Sequence, residues 1–294
     1  MGRAAAQSGI EIEFETFGSR NDPAILLVNG FTSQMTYWEE DLCQMLVARG
    51  RFVIRYDNRD CGLSTHLDGV AAPVAGALLA ARREGRTVAV PYTLSDFATD
   101  GMSVLDHLGV AQTDIIGVSM GGMIVQTMAI DHPGRVRTLT SIMSHTGEPA
   151  YGRSTKEANA ALMAAPPTER AAFIAEGVES SKIWSSPRYY DPTQQALRLA
   201  RDYDRAFYPE GAGRQLGAVL AAPDRSAALR ALDVPTLVVH GRADTLITLS
   251  GGERTAEIIP GANLFVLNDM GHDLPEPLWP LYVDMFISHS NQRL

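Results

Sequence analysis

Gly117-Val118-Ser119-Met120-Gly121-Gly122 is the stretch on which the reading of this chain turns. It follows the apolar, β-type run Thr113-Asp114-Ile115-Ile116 and leads into Met123-Ile124-Val125-Gln126-Thr127-Met128-Ala129-Ile130, a helical pattern. The spacing G-x-S-x-G between strand and helix predicts a sharp turn with Ser119 at its apex. Strand and helix approach closely at such a turn, so its neighbours must do without a Cβ. Free N–H groups and the helix dipole at the start of the helix favour negative charge developing beside Ser119. Glycine and serine are common, and the six residues alone also read as an ordinary Gly/Ser turn. The residues that follow in the chain decide between the two.

Near the C-terminus, Pro235-Thr236-Leu237-Val238-Val239-His240-Gly241 reads as a buried strand ending in a turn, and Asp244 lies just past it. A helix over 251–259 and a strand over 263–267 follow, and then Asn268-Asp269-Met270-Gly271-His272-Asp273. The chain order is Ser119, Asp244, His272. Each lies at the C-terminal end of a predicted parallel strand, where open α/β sheets gather their ligands. In that arrangement His272 accepts the serine proton during attack and returns it to the leaving group. Asp244 orients the imidazole and stabilises the imidazolium. Asp269 and Asp273 are alternative acids. Neighbours on a short loop rarely point at the same ring nitrogen, so Asp244 is preferred.

Attack on a carbonyl also needs donors for the oxyanion, each worth about 2.7–4 kcal/mol. One is expected from the backbone N–H of Met120. The other is expected from the loop Asn29-Gly30-Phe31-Thr32-Ser33, after the strand Ala24-Ile25-Leu26-Leu27-Val28. Phe31 is the candidate there, with Gly30 letting the backbone turn inward. Seen alone, the same loop reads equally as a strand-ending turn.

Asn29-Gly30-Phe31, Gly117 to Gly121, Gly241 to Asp244 and Gly271-His272, in this order, resemble the α/β-hydrolase family from end to end. Many members carry a histidine before the glycine of the first loop. Asn29 departs from that pattern, which leaves the backbone donor intact but changes how the loop is propped. Ile54-Arg55-Tyr56-Asp57-Asn58-Arg59-Asp60-Cys61-Gly62-Leu63-Ser64-Thr65 is similar to the Arg-Tyr-Asp-x-Arg-Asp-x-Gly-x-Ser-Thr loop of the aclacinomycin methylesterase branch. Asp57 and Arg59 are expected to fix that loop by hydrogen bonds and ion pairing. The resemblance implies a carboxylic-ester hydrolase that needs no cofactor and works through an acyl-enzyme on Ser119. The branch implies a small alcohol such as methanol leaving from a bulky, polyketide-like acyl group. The same triad also serves C–C bond hydrolysis, lactonase, thioesterase, amidase and perhydrolase chemistry, and the fold also serves slow or non-catalytic ligand receptors. Serine at the turn disfavours dehalogenase and epoxide hydrolase, which need aspartate there. An intact Ser119, Asp244 and His272 favours the enzyme over the receptor.

Composition agrees. The chain has 294 residues, 45% hydrophobic and 20% charged, which suits one catalytic domain with an insertion. A net charge of −9 disfavours nucleic acid and anionic membrane as partners, leaving a small-molecule ester substrate. No apolar run reaches membrane-spanning length. The N-terminal stretch through Gly9 lacks the apolar core of a signal peptide, so a cytoplasmic location is the expectation. Cys43 and Cys61 imply neither a disulfide framework nor a metal site. His107, His132 and His145 show no ligand clustering, so no metal is expected. His240 reads as a packed structural histidine, and His66 as a pocket residue at most.

Strands at 10–17, 24–29, 52–57, 113–118, 136–143, 235–241 and 263–268 alternate with helices around 38–48 and 93–108. This implies a mostly parallel sheet covered on both faces, with the acidic face of the first strand exposed. Thr93 is the expected N-cap of the second helix, with Asp96 in its first turn. Residues 66–92 look like a short helical excursion. The core is expected over 1–144 and 231–294. A helical cap is expected over 145–230, with helices at 155–164, 167–177 and 192–206. Its aromatic residues either pack cap on core or roof a pocket. Gly30, Thr32, Met143, Tyr203 and Phe207 are the candidate pocket residues.

Overall fold

The chain opens with an antiparallel ribbon, Gly2–Ala5 (β1) against Glu11–Phe17 (β2), in a computed structural model that describes residues 1–6 and 9–293. Alternation follows: Ala24–Val28 (β3), Glu40–Val47 (α1), Phe52–Tyr56 (β4), Ala75–Arg83 (α2), Leu94–Leu108 (α3), Thr113–Val118 (β5), Met120–Asp131 (α4) and Val136–Ile142 (β6). Next come Lys156–Met163 (α5), Arg170–Trp184 (α6), Pro192–Ala206 (α7), Glu210–Ala221 (α8) and Ser226–Leu229 (α9). Thr236–Gly241 (β7), Ser250–Ile258 (α10), Asn263–Leu267 (β8) and Trp279–Ser290 (α11) complete the chain. The strands form one sheet in the order β1-β2-β4-β3-β5-β6-β7-β8. β1/β2 and β2/β4 are antiparallel and every other pair is parallel.

Successive side chains of a strand point to opposite faces, and here both faces are apolar. Leu26 and Val28 of β3 join Ile54, Tyr56 and Ile115 in a core closed by Phe97 and Leu105 of α3 and Val125 and Met128 of α4. Ile25 and Leu27 join Val53, Ile116, Val118 and Val239 in a second core, closed by Leu42 and Leu46 of α1 and Tyr282 and Phe286 of α11. Unbroken apolar runs such as Ala24–Val28 are what a strand covered on both sides requires. Thr93 is the N-cap as expected, and with Asp96 it forms a reciprocal capping box; α3 ends where Gly109 adopts a left-handed φ of 70°.

Several expectations need correction. The acidic side chains of β2 are not simply an exposed face. Glu13 is buried and pairs with Arg3 of β1, and Glu15 pairs with Arg55. The N-terminal ribbon, read only as lacking a leader, supplies that arginine; its Gln7 and Ser8 lie outside the described residues. The first helix starts at Glu40, after a single 3-10 turn over Met35–Tyr37, and Trp38 packs fully buried before it. In the stretch between β6 and β7, α6 runs on to Trp184, and α8 forms where no helix was expected. The buried face of α8 is Gly211, Arg214, Gln215, Gly217 and Ala218, so it carries no apolar stripe for a periodicity reading to find. Its glycines allow close approach: a Cβ on Gly211 would fall 2.0 Å from the Asp60 carbonyl oxygen. Among the described residues no helix is long and apolar enough to cross a membrane.

Candidate active site

The chain crosses from β3 to β4 on one side and then places β5 on the other side of β3. Open sheets bind ligands at such a reversal, outside the C-terminal ends of the strands, here those of β3 and β5. Ser119 stands there, between β5 and α4, with φ 55° and ψ −120°. Among the described residues, the non-glycine residues with φ in the left-handed region are Thr32, Asp60, Ser119 and Met143. They follow the neighbouring strands β3, β4, β5 and β6 in turn, so backbone strain gathers at one end of the sheet. The Ser119 backbone is held on both sides: its N–H donates to the Ile142 carbonyl at 2.9 Å, and Ser144 Oγ donates to its carbonyl at 2.8 Å. Two glycines make the turn sterically passable. A Cβ on Gly117 would lie 2.2 Å from the Gly121 carbonyl oxygen, and one on Gly121 would lie 2.3 Å from that of Val28.

Asp244 follows β7, and His272 follows β8. His272 Nδ1 lies 2.7 Å from Asp244 Oδ2, with the carboxylate fully buried. An ionised carboxylate can only accept, so Nδ1 carries the proton, and in the neutral ring the lone pair is on Nε2. The other oxygen, Oδ1, accepts the backbone N–H groups of Leu246 and Ile247, each at 2.9 Å. Burial raises the Asp244 carboxyl pKa, but attraction to His272 and hydrogen bonds from His240 and His272 outweigh it and lower the value to about 2. The His272 backbone N–H donates to the Trp184 carbonyl at 2.6 Å, so the end of α6 fixes the histidine loop.

The other acids are engaged elsewhere. Asp269 pairs with Arg188 at the surface, and Asp273 accepts from the backbone and hydroxyl of Ser186. His240 is packed, as expected, but it also touches the site. Its Nε2 bonds the Ile247 carbonyl at 2.7 Å and lies 3.4 Å from Asp244 Oδ2. His66 stacks on Tyr208 with ring centroids 3.7 Å apart. Among the described residues no three His, Cys, Asp or Glu side chains are grouped as metal ligands. Cys43 and Cys61 are free and buried, and burial pushes the Cys43 thiol up to about 12.

On the side of the loop after β3, Gly30 faces the serine: a Cβ there would lie 3.3 Å from Ser119 Cβ. Phe31 is half-buried and packs against the α3–α4 core. Met120 opens α4, where the first N–H groups have no partner within the helix. Asn29 props the loop from below, its Nδ2 donating to the Tyr56 carbonyl at 2.7 Å. Asp57 accepts from Met35 N–H and Leu63 N–H and pairs with Arg205 of α7. Arg59 makes two bonds to Asp100, at 2.6 and 2.7 Å. These are the fixing contacts expected of the loop after β4.

Of the candidate pocket residues, Gly30 lies against Ser119, and Thr32 is exposed with its N–H on Gln215. Met143 is buried in the α1–α11 core. Tyr203 and Phe207 stack 4.4 Å apart, and Phe173 of α6 packs on both. Sequence reasoning missed Ser144, the Trp184 carbonyl and Gln215. Ser144 acts through its hydroxyl on a backbone carbonyl 25 positions away, and Trp184 through its own carbonyl, which any residue type possesses. Gln215 had a signal: a glutamine between Gly211, Gly213 and Gly217 on a face that must pack closely.

A family model described as alpha/beta hydrolase fold matches residues 23–276. The chain is 27% identical over 290 residues to rhodomycin D methylesterase DnrP of Streptomyces peucetius, covering 90% of this chain and 91% of that protein. It is 26% identical over 259 residues to 3-oxoadipate enol-lactonase 2 of Acinetobacter baylyi, covering 88% and 85%. Esterase RhEst1 from Rhodococcus sp. superposes with a TM-score of 0.76 at 20% identity, covering 100% of this chain and 99% of that one.

Proposed function

Because the chain belongs to the alpha/beta hydrolase fold family, we propose that it is a serine hydrolase cleaving carboxylic esters through an acyl-enzyme on Ser119. The observation that carries this reading is the Asp244–His272 hydrogen bond of 2.7 Å at the sheet end where Ser119 sits in a strained turn. His272 Nε2 takes the Ser119 proton as Oγ attacks the carbonyl carbon. The N–H groups of Met120 and Phe31 stabilise the oxyanion. His272 then protonates the departing alcohol. A water, deprotonated by the same nitrogen, attacks the acyl-enzyme and releases the acid. Asp244 keeps the proton on Nδ1 throughout, which its low pKa permits.

The likeness to a rhodomycin D methylesterase supports a small alcohol leaving from a bulky acyl group. The likeness to an enol-lactonase supports the same acyl transfer with the alcohol tethered to the acid. We read α5–α9 as the cap, with Phe173, Tyr203 and Phe207 as its aromatic contribution to acyl binding. The test is hydrolysis of p-nitrophenyl esters of graded acyl length, together with fluorophosphonate labelling, by wild type and Ser119→Ala. Turnover and labelling by wild type alone are expected. Turnover retained by Ser119→Ala overturns the mechanism, and absence of both in wild type favours a receptor.

A further inference from the structure

We propose that Gln215 is a positioning residue that holds the oxyanion loop; the proposal rests on the serine-hydrolase reading above. Gln215 lies on α8 and is 1% exposed. Its Oε1 accepts the Thr32 backbone N–H at 2.9 Å, and its Nε2 donates to the Arg59 carbonyl at 2.8 Å. An N–H can only donate and a carbonyl can only accept, so the two partners fix the amide in one orientation. A buried amide is stable only when both its ends are bonded, and both are. An apolar side chain would fill the same space without that requirement. The amide therefore acts through its two bonds.

Thr32 needs such a hold. Its side chain is exposed, and its φ of 55° lies in a region that threonine rarely adopts. The N–H that Gln215 grips belongs to the peptide joining Phe31 to Thr32. The N–H of Phe31, one peptide earlier, is the proposed oxyanion donor. From the other side, Cys61 Sγ reaches the Thr32 carbonyl at 3.3 Å. Gly30 faces Ser119 closely enough that a Cβ on it would lie 3.3 Å from Ser119 Cβ, so a small rotation of this loop moves the donor relative to the attacked carbonyl. Gln215 thus ties the oxyanion loop to the loop after β4 through a helix that belongs to neither. Displacing α8 would release the donor.

The test compares wild type with Gln215→Met, which keeps the side-chain length and loses both bonds. For p-nitrophenyl acetate, kcat is expected to fall about 10–100-fold while KM changes by less than about two-fold. Inhibition by phenylboronic acid weakens in parallel, because its tetrahedral adduct on serine places an oxygen against the same donors. Deuterium exchange reads the hold without catalysis: the Thr32 amide is protected in wild type and exchanges faster in Gln215→Met. An unprotected Thr32 amide in wild type overturns the proposal, even if the variant does not fold. So does a Gln215→Met enzyme whose kcat and boronate affinity match wild type, or whose loss lies only in KM. A wild type that shows neither turnover nor fluorophosphonate labelling, with Thr32 protected, instead overturns the hydrolase reading and the catalytic role of Gln215 with it.

Discussion

Gly121 and Val28 are packed without room for a side chain: a Cβ on Gly121 would lie 2.3 Å from the Val28 carbonyl oxygen and 2.5 Å from that of Asn29. The first turn of α4 therefore rests on the end of β3, and this contact is one of those that set the proposed nucleophile against the oxyanion loop. Gly121→Ala forces one of the two backbones to move. It should lower stability by about 1–3 kcal/mol, the usual range for overpacking. It should also reduce kcat, because the distance between Ser119 and the Phe31 N–H changes. Urea unfolding with parallel ester kinetics checks both. An alanine variant with wild-type stability and rate would show that this approach is not needed.

Ser119→Ala removes one hydroxyl from a half-buried position. Its thermal midpoint should stay within a few degrees of wild type, since the backbone bonds to Ile142 and Ser144 remain. Its kcat should fall by about 10⁶, the scale seen when a serine nucleophile is deleted.

Asp244→Asn and Asp269→Asn separate the two acids. The first leaves an amide beside His272 and favours the wrong tautomer, a change worth about 10⁴ in kcat in serine enzymes. The second removes a surface partner of Arg188 and should change kcat by less than about two-fold. The reverse ranking would move the acid assignment.

The pH dependence of stability follows from Asp244. Its folded pKa of about 2 lies below the ordinary carboxyl value of 3.8. The folded state therefore binds fewer protons than the unfolded state between those values. The stabilising contribution is fully present above pH 3.8 and is lost as pH falls through 2, in total about 2 kcal/mol. Asp100, Asp114, Asp202 and Asp273 are shifted upward by burial and act with the opposite sign. The difference between wild type and Asp244→Asn isolates the contribution. In urea titrations from pH 6 to pH 2 that difference should narrow as the solution is acidified. A constant difference would contradict it.

Arg59→Ala strands Asp100, whose side chain is 1% exposed and already raised in pKa by burial. Breaking one side of a buried pair costs about 3–5 kcal/mol. Acidification should recover part of the loss in the variant, because a protonated Asp100 no longer needs a cation. A loss that does not change between pH 7 and pH 5 would point to packing against Tyr92 and Phe97 instead.

The elements legible from sequence were those that announce themselves locally. Apolar strands such as Ala24–Val28, the capped helix from Thr93 and the glycine-flanked Ser119 each depend on neighbours a few positions away. The β2 face was misread because the arginine that pairs with the buried Glu13 comes from a separate strand. α8 was missed because its buried face is small and polar, and such residues become interior only when another loop offers them partners.

The order Ser119, Asp244, His272, and the apolar runs that place each at a strand end, were properties of the sequence alone. Strand and helix periodicity are local, and the glycines at the turn exclude other backbones. Which carboxylate meets His272 was decided only by the tertiary structure. Asp269, Asp273 and Asp244 are all near enough along the chain or the sheet. It is the pairing of β7 with β8 that brings Asp244 to Nδ1, while Arg188 and Ser186 engage the other two. The grip of Gln215 on Thr32, across 183 positions of sequence, exists for the same reason. Hydrogen bonds between distant residues depend on where whole elements pack, and no short stretch of sequence specifies that.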